Sequence, residues 1–324
     1  MKRILVVGGA GYIGSHMVKM LLEQGHQVVT LDNLSTGFRE NVLGGEFVRG
    51  DLGDRALLDR LLPENRFDAV MHFAAFIQVG ESVEDPGKYY QNNVANTLKL
   101  LDAMVAHGAN HFIFSSTAAI FGEPQYVPVD EDHPKAPINP YGRSKWMVEQ
   151  ILADYDRAYR LRSICLRYFN AAGADPEGRV GPRYEGITNL IPVVLKAAAG
   201  KRPKVTVYGR DYDTPDGTGV RDYIHVTDLC HAHLQAMEQL WSSDESGVFN
   251  LGNGRGFSVQ QVIDTAREVT GIDIPVADGP RRSGDPASLV ADATRAREVL
   301  GWKPRYPDLA AIVEHAWRWE RRGS

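Results

Sequence analysis

An α/β chain built on a doubly wound parallel sheet is the fold class that this sequence predicts. Three observations carry it. Short β-branched runs alternate with longer helical patterns through the first half, which implies βαβ units and a sheet covered on both faces. The first apolar run ends in a glycine-rich turn, Gly8-Gly9-Ala10-Gly11-Tyr12-Ile13-Gly14, and the second ends in an acid, Asp32. A Gly-rich strand–helix turn followed by an acid about 20 residues on is the Rossmann-type pattern.

Taken in order, Ile4–Val7, Val28–Leu31, Glu46–Val48, Ala69–Phe73, His111–Ser115 and Ser163–Leu166 read as strands. Helices are predicted near 13–24, 54–62, 92–107 and 144–159. Gly25 and Gly108 fall where helix C-terminal turns are expected. Residues 1–170 thus form a predicted dinucleotide-binding domain. Beyond about residue 170 the pattern loosens. Pro- and Gly-rich loops at 174–184, 208–220 and 278–287 separate helices near 188–199, 226–241, 258–270 and 308–321. This predicts a smaller C-terminal α/β lobe, residues 171–324, mounted directly on the first. There is no internal repeat and no low-complexity segment.

The bulk numbers exclude several classes. With 324 residues, 43% of them hydrophobic, the chain can bury a large core. A formal charge of −5, from 36 basic and 41 acidic residues, gives no electrostatic footprint for nucleic acid. The two cysteines, Cys165 and Cys230, lie far apart and outside any zinc spacing, as expected in a reducing compartment. No apolar stretch approaches the ~18 residues of a membrane span. The start, Lys2-Arg3-Ile4-Leu5-Val6-Val7, has too short an apolar run for a signal peptide and ends in glycines, so it reads as a strand. With no targeting signal visible, the expectation is a cytoplasmic protein.

Gly8, Gly11 and Gly14 are spaced GxxGxxG. Glycine permits the tight turn and lets the backbone approach a pyrophosphate at a helix N-terminus. Asp32 is placed to accept hydrogen bonds from a ribose 2′-hydroxyl, and its charge would repel a 2′-phosphate, which favours NAD over NADP. Asp51, after the third strand, suits either the adenine edge or a helix N-cap. Ser115-Ser116-Thr117 closes the fifth strand, where the ligand crevice of such sheets opens.

Tyr141 and Lys145 are four residues apart, so on a helix they share a face. An ammonium beside a phenol favours the phenolate. Bringing a phenol from a pKa of ~10 to ~7 takes about 4 kcal/mol, which one close ammonium in a dry site, helped by the positive nicotinamide of an oxidised cofactor, can supply. Such a base suits removal of a hydroxyl proton while the carbon beneath gives hydride to NAD.

Together, GxxGxxG, the Ser/Thr triplet and Tyr-x-x-x-Lys resemble the extended short-chain dehydrogenase/reductases. Within them the chain is similar to the UDP-glucose 4-epimerase family. The matching stretches are Gly8–His16, Val79–Ser82, Tyr89–Val94, Asn139–Leu152, Leu166–Asn170, Asp216–Val226 and Arg281–Asp285. The resemblance implies NAD-dependent interconversion of UDP-galactose and UDP-glucose through a 4-keto sugar, with NAD retained and regenerated. It makes Tyr141 the base, Lys145 its activator and Thr117 the hydroxyl partner, at a position where the family often has Ser.

Cofactor contacts are then implied at Gly8, Gly11, Tyr12, Ile13, Gly14, Asp32, Asn33, Asp51, Leu52, Phe73, Ala74, Asn92, Ser115, Tyr141, Lys145 and Tyr168. Substrate contacts are implied at Thr117, Asn170, Asn189, Leu190, Thr206, Tyr208, Arg221, Arg282, Asp285 and Leu289. Arg221 and Arg282 can fork onto a diphosphate, Asp285 can accept a ribose hydroxyl and Tyr208 can stack on uracil. The alternative for the two arginines is an exposed ion pair or a solvated loop. One departure is Ile77, beside Gln78, where many members place a lysine on the nicotinamide ribose.

A 4,6-dehydratase would need Asp-Glu directly after the threonine, and a decarboxylase a Glu; Thr117 is followed by Ala118-Ala119, which transfer no protons. Epimerases of UDP-glucuronate, UDP-pentoses or UDP-N-acetylhexosamines differ only in pocket detail. A non-catalytic NAD sensor of the same fold typically lacks the Tyr or the Lys; both are here. Apolar residues at helical spacing, Leu98, Leu101, Met104 and Val105, then Met147, Ile151 and Leu152, read as packing against the sheet. In the family the corresponding helices pair across a two-fold axis, which implies a homodimer. Leu289 stands where the family varies between a bulky aromatic and small residues. The expected outcome is good turnover of UDP-glucose and UDP-galactose and weak turnover of UDP-N-acetylhexosamines. Equal rates on UDP-galactose and UDP-N-acetylglucosamine with the pure protein would defeat that expectation.

Overall fold

A computed structural model describes all residues except 184–187, 283–284 and 324. The predicted loops at 174–184 and 278–287, and the family stretch Arg281–Asp285, therefore lie partly outside the described residues.

The run Ile4-Leu5-Val6-Val7 has no polar face, and all four side chains are buried. That pattern belongs to a parallel strand covered on both sides. It forms β1 (Arg3–Val7), followed by α1 (Tyr12–Glu23), β2 (Gln27–Asp32), β3 (Glu46–Arg49), α2 (Arg55–Asn65) and β4 (Ala69–His72). Next come α3 (Val79–Glu84), α4 (Pro86–Tyr89), α5 (Asn96–His107), β5 (His111–Ser115), α6 (Pro140–Tyr159) and β6 (Arg162–Tyr168). The rest comprises β7 (Asn170–Ala172), α7 (Leu190–Ala198), β8 (Val205–Tyr208), β9 (Val220–His225), α8 (Val226–Ser243) and β10 (Gly247–Leu251). It closes with β11 (Gly256–Ser258), α9 (Val259–Thr270), β12 (Val276–Gly279), β13 (Ser288–Leu289), α10 (Thr294–Val299) and α11 (Leu309–Glu320).

Seven strands form one sheet in the order β10-β6-β5-β4-β1-β2-β3, and every neighbouring pair is parallel. Ile4 and Val6 face a layer with α1 and α8. Leu5 and Val7 face the opposite layer, with α2, α5 and α6. The chain winds outward through β2 and β3, then returns to place β4 on the other side of β1. Such a reversal is where sheets of this kind open a ligand crevice beyond the strand C-termini.

The smaller lobe is built around β9, which pairs with β7, β11 and β13. A separate β8–β12 pair lies beside it. Its core joins Ile191, Val194 and Leu195 of α7 to Val262 and Ile263 of α9 and Ile312 and Val313 of α11. The lobes interleave in sequence. After β9 the chain re-enters the large lobe, where α8 covers one face and β10 adds the seventh strand. No helix among the described residues is long and apolar enough to cross a membrane.

Two helix starts differ from expectation. The helix expected near 144 begins at Pro140, because Asn139 caps it by accepting the Gly142 N–H at 2.8 Å and Pro140 takes the first helical position. The helix expected from 92 is a π turn over Tyr90–Ala95 before α5 begins. This wider turn sets the buried Asn93 side chain against the backbone N–H and C=O of Phe76, both at 3.0 Å, and against the Ser144 hydroxyl at 3.1 Å. Asn93 thus fastens the loop after β4 to α6. Asn93→Ala should lower unfolding free energy by about 2–4 kcal/mol, since buried partners would be left unsatisfied; urea unfolding measures it, and an unchanged midpoint would contradict the assignment.

Candidate active site

The turn after β1 leaves no room for a side chain at Gly8, Gly9 or Gly14. A Cβ on Gly14 would lie 2.2 Å from the Gly8 carbonyl oxygen, and one on Gly8, whose φ is +81°, would lie 2.5 Å from Ala74 N. At Gly11 the nearest atom would be the Gly8 carbonyl oxygen at 3.3 Å, so a side chain there would stand chiefly in the cradle at the N-terminus of α1. No side chain caps α1, and its first turn holds no acid. Backbone N–H groups and a positive helix end therefore face the cradle, which fits a diphosphate.

Asp32 ends β2 as expected. Its buried carboxylate accepts from Ala10 N at 2.9 Å and Leu34 N at 2.8 Å. Burial raises its pKa, and these two hydrogen bonds oppose the rise. Asn33 donates to Asp51 at 2.8 Å, and Asp51 also accepts from Gly53 N. Asp51 is not a helix cap; Asp54 caps α2 by accepting from Leu57 N at 3.0 Å. Leu52, beside Asp51, is buried in the α2 layer.

Phe73 and Ala74 leave β4 with both N–H groups donated to the Val7 carbonyl. The Phe73 ring lies 4.9 Å from the His233 ring of α8. His233 Nδ1 donates to Leu229 O at 2.9 Å, so its Nε2, 3.0 Å from Ser115 Oγ, accepts from that hydroxyl. Burial pushes this imidazole down to about 4, so it is neutral. Burial raises the Tyr168 phenol, and the Ser115 hydroxyl opposes the rise. Asn92 is half-buried and donates to Asn93 at 2.9 Å. Ile77 is 55% exposed, and Gln78 heads α3.

Tyr141 and Lys145 lie one turn apart at the start of α6, both buried. Lys145 Nζ donates to the Ser115 carbonyl at 2.9 Å and lies 4.7 Å from the centre of the Phe114 ring. Burial brings Lys145 down to about 7, and Glu149 one turn further on opposes this. The Thr117 hydroxyl, which accepts from Ala119 N at 3.1 Å, favours the charged form of the Tyr141 phenol. Sequence reasoning expected the lysine to pull the phenol down. In the structure burial dominates and raises Tyr141, opposed by Thr117, because both groups of the pair are dry and desolvation penalises either charge. The arrangement still joins a phenol, a hydroxyl and an amine at the C-terminal edge of β5.

The smaller lobe gathers the other expected residues. Asn170 donates to Asp222 O at 3.1 Å, joining β7 to β9. Asn189 holds the N-cap position of α7, which Leu190 opens. Thr206 and Tyr208 lie on β8, and Arg282 stacks 4.1 Å from the centre of the Tyr208 ring, which is 38% exposed. Arg221 is ion-paired to Asp285 and also donates to Val220 O at 2.7 Å. Leu289 pairs with Arg221 in register and packs on Ala118, Ile120, Phe121 and Val129. It therefore lies against the segment that follows Thr117. Among the described residues no His, Cys, Asp and Glu cluster could hold a metal.

The sequence profile of the NAD dependent epimerase/dehydratase family matches residues 4–252. The chain belongs to that family. It is 52% identical over 318 residues to the UDP-glucose 4-epimerase of Halalkalibacterium halodurans, covering 98% of this chain and 95% of that protein. Among solved structures it is similar to the UDP-glucose 4-epimerase from Brucella ovis in complex with NAD, with a TM-score of 0.96 and 48% identity over 98% of both chains. It is also similar to the UDP-Glc/GlcNAc 4-epimerase from Campylobacter jejuni, with a TM-score of 0.88 and 46% identity, covering 99% of this chain and 100% of that one.

Sequence reasoning missed several residues that support this candidate site: Asn93, Glu149, Arg167, Asp222 and His233. All are polar and buried. Asp222, raised to about 6 by burial, accepts N–H groups of Asn253, Gly254 and Ala291 and ties together the loops around β9. The cradle and Asp32 together fit a dinucleotide. Asp32→Ala should reduce the NAD retained by the purified protein while leaving UDP binding nearly intact; unchanged cofactor content, read from absorbance after denaturation, would reject the ribose role.

Proposed function

We propose that this chain is an NAD-dependent 4-epimerase that interconverts UDP-galactose and UDP-glucose through a 4-keto sugar. The observation that carries the reading is the buried Tyr141, one turn from the buried Lys145 on α6 and eased toward its charged form by the Thr117 hydroxyl, with a dinucleotide cradle in the same lobe. The near full-length similarity to UDP-glucose 4-epimerases supports it. NAD, when bound, supplies the acceptor and donor for the C4 hydride.

Tyr141 takes the 4-hydroxyl proton and later returns it. Thr117 hydrogen-bonds the same oxygen and orients it. Lys145, when protonated, stabilises the phenolate. Gly8, Gly11, Tyr12, Ile13, Gly14, Asp32, Asn33, Asp51, Leu52, Phe73, Ala74, Asn92, Ser115 and Tyr168 shape the cofactor side. On the sugar-nucleotide side, Arg221 and Arg282 meet the diphosphate, Asp285 a ribose hydroxyl and Tyr208 the uracil. Asn170, Asn189, Leu190, Thr206 and Leu289 wall the pocket. Residues 1–170 supply most of the NAD half and 171–324 most of the substrate half.

The enzyme works as a cytoplasmic homodimer in this reading. Leu101, Met104 and Leu152 are core residues, but Met147 is 41% exposed. Leu98, Val105 and Ile151 are partly exposed. A partner copy would cover these. Both cysteines are buried and free, which suits a reducing cytoplasm. A second reading, turnover of UDP-N-acetylhexosamines, draws support from the similarity to the UDP-Glc/GlcNAc 4-epimerase from Campylobacter jejuni.

The test is NMR of UDP-galactose mixed with the purified protein and no added NAD. Anomeric signals of UDP-glucose should grow to the mixture that is also reached from the opposite side. Tyr141→Phe should keep the fold and the bound NAD yet slow this conversion by about 10²–10⁴-fold. Turnover near that of the wild type would remove Tyr141 as the base.

A further inference from the structure

Ser115, Ser116 and Thr117 are consecutive, and each gives a different group to the same face of α6. The Ser115 carbonyl receives Lys145. The Thr117 hydroxyl meets Tyr141. The Ser116 hydroxyl donates to a carboxylate oxygen of Glu149 at 2.5 Å. Tyr141, Lys145 and Glu149 follow one another at four-residue steps along α6, so they form a single stripe.

Glu149 is gripped from the far side as well. Arg167 of β6 places Nε 3.1 Å from both carboxylate oxygens and Nη2 2.6 Å from one of them. The two side chains are each 3% exposed. Arg167 is anchored in turn by donating to the Glu131 carbonyl at 3.2 Å, and it lies against the Phe121 and Trp146 rings. The guanidinium fork alone gives the buried carboxylate a partner. The added Ser116 bond is what links that carboxylate to the strand end carrying both contacts of the Tyr141–Lys145 pair.

We propose that Glu149, held between Ser116 and Arg167, is a positioning residue that fixes residues 115–117 in the register at which they meet Tyr141 and Lys145; this rests on the activity proposed above. Its charge acts in the same direction. The groups that face Lys145 are Tyr141 and Glu149 on α6, Cys165 on β6 and His72 on β4, with Arg167 behind Glu149. His72 is pushed down to about 3 by burial and is neutral, and the Cys165 thiol is pushed up and is neutral too. Glu149 is therefore the anion that opposes deprotonation of Lys145.

Two variants separate the parts. Ser116→Ala removes the donor and leaves the ion pair; Glu149→Gln keeps an acceptor and removes the charge. With UDP-galactose as substrate, Ser116→Ala should lower kcat about tenfold with KM within about twofold, the signature of lost positioning rather than lost binding. Glu149→Gln should lower kcat and also move the alkaline limb of its pH profile to lower pH by about one unit, because Lys145 then loses its proton sooner. Ultraviolet titration, taken as the difference from Tyr141→Phe, should show the Tyr141 phenolate forming at higher pH in Glu149→Gln. A residue that only supports the fold would scale the profile without moving it. A Ser116→Ala kcat within about twofold of wild type, or a Glu149→Gln profile that overlays wild type after scaling, overturns the proposal. Should Glu149→Gln fail to fold, Ser116→Ala decides alone. An inert wild type overturns the epimerase reading and this inference together, whereas an active wild type with unaffected variants overturns this inference only.

Discussion

A parallel sheet has no wet face. Every strand must be covered on both sides, and this constraint orders the rest of the molecule. Alternate residues of β1 enter opposite layers, Ile4 and Val6 on one side and Leu5 and Val7 on the other. Helices fill both layers, so the polar work of the protein is displaced to the strand ends. There the glycine turn, Asp32, Phe73 and the Ser115–Thr117 segment all emerge along one edge. The reversal between β1 and β4 parts the loops at this edge and leaves the space that a dinucleotide fits.

Dryness carries over from the sheet to the chemistry. Tyr141 and Lys145 sit where the covering helix begins, so burial penalises the charged form of each. Neither group is set near neutrality by its partner alone. The amine is brought into range by desolvation, and the phenol is restrained by Thr117. The protein assembles this from a three-residue strand end facing one stripe of α6. The backbone of Ser115, not its side chain, is what the lysine meets.

Six strands of the large sheet were legible because most are apolar runs bounded by glycine or acid, such as Ile4–Val7 before Gly8; the seventh, β10, was not read, because it follows the smaller lobe in the chain and carries Asn250 within its run. The short strands of the smaller lobe, β7 to β9 and β11 to β13, were not. They mix exposed and buried positions over a few residues, and β9 alone carries Arg221, Asp222 and His225. Asp51 could equally have been a helix cap by its type; only the structure assigns capping to Asp54. Glu149 and Arg167 were invisible because a lone Glu or Arg in a helix or strand reads as surface. Their burial depends on each finding the other between α6 and β6, a pairing that neither helical nor strand periodicity marks. Tyr141 and Lys145, by contrast, stood out through spacing and through their distance from the glycine turn.

The interleaving of the lobes has a mechanical consequence. β9 bears Arg221 and pairs within the smaller lobe, yet its last residue caps α8, which is packed on the large sheet. One unbroken stretch of chain thus runs from Arg221, through the His225 cap, to His233, whose ring lies 4.9 Å from that of Phe73. A hinge between the lobes would have to bend this stretch or tear α8 from its layer. Any relative movement of the two lobes therefore has to pass through the His225 junction between β9 and α8.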